Sequence, residues 1–113
     1  MHYCHWSDAA TRHPADKLLP DEEVYCEPLG ESFGVRAVWV KKEGDELKLS
    51  SHGREPQHTS FTASVTMADP HVFTGSDFSL RIDANKHSEY GKFHGRFTGR
   101  GADQVLMSCL IRK

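Results

Sequence analysis

Lys92-Phe93-His94-Gly95-Arg96-Phe97-Thr98-Gly99-Arg100-Gly101 alternates with period two. Successive side chains of an extended chain point to opposite sides. Read as a strand, the stretch sends Phe93, Gly95, Phe97 and Gly99 to one face and Lys92, His94, Arg96, Thr98 and Arg100 to the other. The first face suits a packed interior. The second is a row of cations that requires water or an anionic partner.

The same alternation extends outward in both directions. Phe78, Leu80, Ile82 and Ala84 alternate with Ser79, Arg81 and Asp83, and Phe61, Ala63, Val65 and Met67 alternate with Thr62, Ser64 and Thr66. Both read as half-buried strands. Residues 33–42 are rich in β-branched and aromatic types, and Glu43-Gly44-Asp45-Glu46 is a turn leading to Leu47 and Leu49, which predicts a hairpin over residues 33–50. Trp39 falls inside that hairpin and reads as core. Val105 to Ile111 is an almost continuous apolar run, expected to be covered on both faces. The segment 51–57, with Gly53 and Pro56, is a loop, and Val72 and Phe73 read as anchors of a connection.

Residues 1–30 read as an irregular, partly helical N-terminal arm. Ser7 or Asp8 is placed to cap a turn over Ala9–Arg12, Pro14 ends it, Asp16–Leu19 allows a second turn, and Pro28 and Gly30 close the segment. Residues 31–113 are then the β core of a single domain. The expected fold is mainly β, a small antiparallel barrel or two-layer sandwich of about six strands. Short connections favour antiparallel pairing, and the glycines at 91, 95, 99 and 101 favour the barrel.

The 113 residues are enough for one core, since a chain of this length buries roughly two thirds of its unfolded surface. No run of about 18 apolar residues is present, so no membrane span is expected. The start lacks the basic-then-apolar pattern of a secretory signal, and three cysteines, Cys4, Cys26 and Cys109, have no paired spacing. The expectation is reduced thiols and a cytoplasmic protein, with a Cys4–Cys26 bridge as the alternative if the chain is exported folded, and with Cys109 buried and inert. The net charge of −2 conceals an asymmetry. Residues 1–30 hold two basic and six acidic side chains, whereas residues 86–113 hold six basic and two acidic ones.

The candidate binding residues are Lys92, His94, Arg96 and Arg100, extended across the sheet by Arg81, with Trp6 as an interface anchor. The bland counterpart is a solvated face whose cations pair with Asp83, Glu89 or the acidic arm. His2, Cys4, His5, His13 and Cys26 are zinc-type ligands, but without a paired knuckle they define no metal site, and no cofactor motif is present. No catalytic residue is assigned. His58 and His71, in loops beside Ser60 and Asp69, are the acid–base candidates if the protein is an enzyme.

The expected function is therefore a small non-catalytic module that binds another protein as an inhibitor, adaptor or assembly subunit, through charged surface and sheet edge, with self-association as one version. The alternative is a small-molecule-binding barrel lined by Phe61, Phe78, Phe93 and Phe97, with His58 or His71 at its mouth. A third reading is an RNA or single-stranded nucleic acid binder, disfavoured by the net acidity and by aromatics that face away from the cations.

Overall fold

A computed structural model describes residues 18, 21–30, 34–67, 71–86 and 92–112. The described residues form eight strands: β1 (Glu23–Pro28), β2 (Val35–Glu43), β3 (Glu46–Gly53), β4 (Phe61–Val65), β5 (Val72–Thr74), β6 (Phe78–Lys86), β7 (Phe93–Gly99) and β8 (Ala102–Arg112). All pair antiparallel in the order β4-β3-β2-β1-β8-β7-β6-β5. Each strand lies beside its chain neighbours, and β1 lies beside β8. The outermost pair, β4 and β5, meet through one bridge just past the end of β4, where Thr66 and Thr74 exchange backbone hydrogen bonds of 2.9 and 2.8 Å. The result is a nearly closed barrel, not a two-layer sandwich.

Alternation dictates the core. Phe93, Gly95 and Phe97 point inward and are buried, while Lys92 and Arg96 are exposed on the outside. Leu80 and Ile82 on β6, Val38 and Val40 on β2, Leu49 on β3 and Val24 on β1 complete the interior. Burial of this apolar surface is the main stabilising contribution.

Eight strands replace the expected six. The first addition, β1, arises in the segment read as an arm of turns. Val24 and Cys26 point inward, but the acidic Glu23 and Glu27 on either side of them disguise the pattern. Glu23 is tolerated because Arg112 donates to it and Lys41 lies 3.6 Å away. The second addition, β5, has three residues, too few for a periodic signal. The turns expected at 8–12 and 16–19 lie outside the described residues, except Leu18, which is buried in the core.

Two further expectations are corrected. Trp39 is not core: it points outward between the fully buried Val38 and Val40, beside Tyr25 on β1. The run 105–111 is buried on one face only, through Val105, Met107, Cys109 and Ile111, while Leu106 is 38% exposed. The outer surface of a barrel need not be polar throughout, so a continuous apolar run is compatible with one-sided burial.

The cysteines also depart from the expected state. Cys26 and Cys109 are directly opposite in the β1–β8 register, with Cα atoms 4.1 Å apart, and form a disulfide. Neither a Cys4–Cys26 bridge nor a free Cys109 thiol is compatible with that bond. Their separation of 83 residues hides the pairing until the sheet closes and brings the two ends of the chain together.

Candidate functional site

The cationic face is carried by the outer surface of β6 and β7. Register places Arg81 directly opposite Arg96, and Arg96 in turn opposite Leu106 on β8. Like charges facing each other across two strands are destabilising by roughly 0.2–1 kcal/mol. Arg96 is partly compensated by Asp83, 3.6 Å away, an exposed ion pair of small value. Arg81 has no ion pair among the described residues. Ser79, Arg81, Arg96, Thr98 and Gln104 line a shallow depression of about 500 Å³. Hydroxyls, an amide and two guanidinium groups in one concavity can donate hydrogen bonds to carboxylates or other oxoanions.

The remaining candidates are distributed differently. Lys92 is exposed just before β7, and His94 is half-buried on the same outer face, opposite Ser108. Trp6 lies outside the described residues. Asp83 supplies one of the expected acidic partners. The arm's Glu23 instead serves Arg112 and Lys41, so it does not neutralise the row.

Arg100 does not belong to the row. Gly99 adopts φ of +120°, and a Cβ there would lie 2.3 Å from the Asp77 carbonyl oxygen, so the strand ends in a conformation that needs glycine. Arg100 follows with φ of +50° and turns over the rim of the barrel. Its guanidinium lies 4.0 Å from the centre of the Phe61 ring and 5.4 Å from that of Phe78, and its Nε donates to Asp77 at 3.0 Å. Phe61 and Phe78 touch edge-on at 4.9 Å, and Phe97 lies behind them. Three of the four phenylalanines expected to line a ligand cavity therefore pack on one another beneath a cationic lid.

Behind this lid is a polar contact that sequence reasoning missed. His58 is buried, with its ring against Gly53 and edge-on to Phe97. Its Nε2 is 2.5 Å from Ser51 Oγ, and its Nδ1 is 3.3 Å from the Arg100 carbonyl oxygen. A neutral ring satisfies both: Nδ1–H donates to the carbonyl, and Nε2 accepts the hydroxyl proton. Burial holds His58 below the ordinary histidine pKa. The carbonyl hydrogen bond opposes that shift, and the Arg100 charge adds to it. Ser51 and His58 form no nucleophilic pair of the usual kind. A backbone carbonyl takes the place of an orienting carboxylate, and both side chains are shielded from solvent. The inward-pointing position of Ser51, two residues from Leu49, was the available sequence signal.

Of the other acid–base candidates, Asp69 lies outside the described residues, and His71 adopts φ of 68° and accepts Ile82 N–H at its backbone carbonyl. Ser60 Oγ is 3.5 Å from His52 Nδ1, on the outside, and Cys109 is in the disulfide. Among the described residues no group of three His, Cys, Asp or Glu side chains is arranged to hold a metal ion, and Cys26 is unavailable as a thiolate. Among the described residues no helix is long and apolar enough to cross a membrane. Compared with known proteins, the chain matches no family model, no curated sequence and no solved structure.

Proposed function

We propose that this barrel is a non-catalytic binding module whose partner is an acidic surface of another protein, in the manner of an inhibitor, adaptor or assembly subunit. The observation that carries the reading is the opposition of Arg81 and Arg96 in a depression also lined by Ser79, Thr98 and Gln104. A fold gains nothing from two guanidinium groups facing each other, so a partner's carboxylates are what the arrangement suits. The incomplete closure beside β4 adds a short sheet edge at which a partner strand can pair. Neither alternative gains comparable support. The interior phenylalanines pack on one another, and among the described residues no aromatic side chain lines the cationic depression for stacking bases. The buried disulfide favours an oxidising compartment over the cytoplasm.

The test is a double charge reversal, Arg81→Glu with Arg96→Glu, with both proteins immobilised and exposed to extract of the native host. Proteins retained by the wild type at physiological salt and lost from the variant, at equal thermal midpoints, are the expected result. Identical retained sets overturn the reading.

A further inference from the structure

A second pair of arginines occupies a separate concavity. Gly34, Arg36, Arg54 and Gln57 line a pocket of about 190 Å³ where the start of β2 meets the turn after β3. A water molecule takes about 30 Å³ of liquid, so the pocket holds a small group with a few waters and is smaller than drug-sized sites. Arg36 lies where the β2–β3 register shifts between Val35 and Ala37, and its side chain is exposed.

The turn carrying Arg54 and Gln57 is held in place. Arg54 N–H donates to the Gly34 carbonyl at 2.7 Å, and His58 N–H donates to the Arg54 carbonyl at 3.0 Å. Gly34 has φ of +86°, and a Cβ there would meet Gln57 Cβ at 2.6 Å, so the turn packs directly on the backbone of residue 34. The buried His58 ring anchors its far end. Neither Arg36 nor Arg54 has an ion pair among the described residues. Among the described residues no carboxylate lines the pocket, unlike the Arg81–Arg96 face, where Asp83 pairs with Arg96.

We infer that Arg36, Arg54 and Gln57 form a binding site for a tetrahedral oxoanion, a phosphate or sulfate group. Two guanidinium forks and a carboxamide bring donors from three backbone positions around one small volume. A planar carboxylate is served by a single fork, whereas a tetrahedral group presents oxygens in several directions and uses all three. The site is independent of the β6–β7 face and does not rest on the proposed function.

The experiment follows backbone amide resonances of the full chain during titration with inorganic phosphate, sulfate and acetate at low ionic strength. Phosphate and sulfate are expected to shift Gly34, Arg54 and Gln57 saturably, with acetate at least tenfold weaker. Arg36→Ala with Arg54→Ala is expected to weaken phosphate at least tenfold at an unchanged thermal midpoint. Arg81→Glu with Arg96→Glu is expected to leave phosphate affinity within twofold. A phosphoserine peptide titrated alongside separates the sources: tighter binding than inorganic phosphate assigns the site to a phosphorylated macromolecule, and equal binding assigns it to the free ion. Phosphate shifts that persist in the Arg36/Arg54 variant, or acetate binding as tightly as phosphate, overturn the inference.

Discussion

The barrel closes at two seams, β1–β8 between the first and last strands and β4–β5 between consecutive strands, and they are built in opposite ways. At β1–β8, six residue pairs are in register, a disulfide crosses the interior side, and Arg112 on the outer side both donates to Glu23 and stacks 3.6 Å from the Tyr25 ring. At β4–β5, one bridge between Thr66 and Thr74 joins the strands. Beyond it, toward the rim, side chains span the gap: Phe61 against Phe78, with Arg100 over both. Closure is thus backbone-driven and covalent where the chain ends meet, and side-chain-driven in the middle of the chain. The lesson is that a barrel can be stable with one weak seam provided the other is tied. The weak seam is also where backbone groups remain available to a partner.

The largest test of this contrast removes the tie. Cys26→Ala with Cys109→Ala frees a loop of 83 residues, for which chain entropy predicts a loss of about 4–5 kcal/mol. The shift in denaturant midpoint measures it. A loss below about 1 kcal/mol means the β1–β8 ladder holds itself, and the contrast collapses.

A smaller effect comes from His58, beside the weak seam. Its folded pKa lies below the ordinary value of about 6.5, because the buried ring resists charging. The unfolded chain therefore binds a proton first as pH falls. The stability contributed by the neutral ring is complete above about pH 6.5 and declines as pH drops through 6.5 toward the folded value. Denaturation midpoints at pH 7.5 and 5.5 should differ in the wild type, and the difference should shrink in His58→Gln. An equal slope in both would assign acid sensitivity to other groups.

The smallest expected change follows Arg100→Ala. The exposed cation–π contact and ion pair together are worth about 1 kcal/mol, so global stability changes little. The local effect sharpens the comparison. Hydrogen exchange at Thr62 and Ser64 on β4 should already exceed that of β1 and should accelerate further in the variant, with β1 unaffected. Uniform acceleration in both strands would mean that Arg100 does not hold the rim.

Much of this architecture was legible from periodicity, and the exceptions have physical causes. The strands at 35–43, 61–65, 78–86 and 93–99 announce themselves because one face is buried and the other wet. That asymmetry also placed Arg81 and Arg96 outside and Phe97 inside. Arg100 was misassigned because two-residue alternation stops at Gly99, whose left-handed backbone re-aims everything after it. Trp39 reads as core because of its bulk and hydrophobicity, although its place between the inward-pointing Val38 and Val40 puts it on the opposite face. β1 escaped notice because its outward carboxylate Glu23 is neutralised by partners on β2 and β8, information no local window contains. The Arg36–Arg54 pocket depends on a turn folding back onto residue 34, a contact equally invisible in the linear sequence.

Because the bridge joins positions 26 and 109, nearly all of the described chain is a covalent ring. Protease cleavage at one exposed point within it, such as Gly44-Asp45, opens the ring without releasing a fragment. The nicked molecule migrates as a single species until a reductant separates its two pieces.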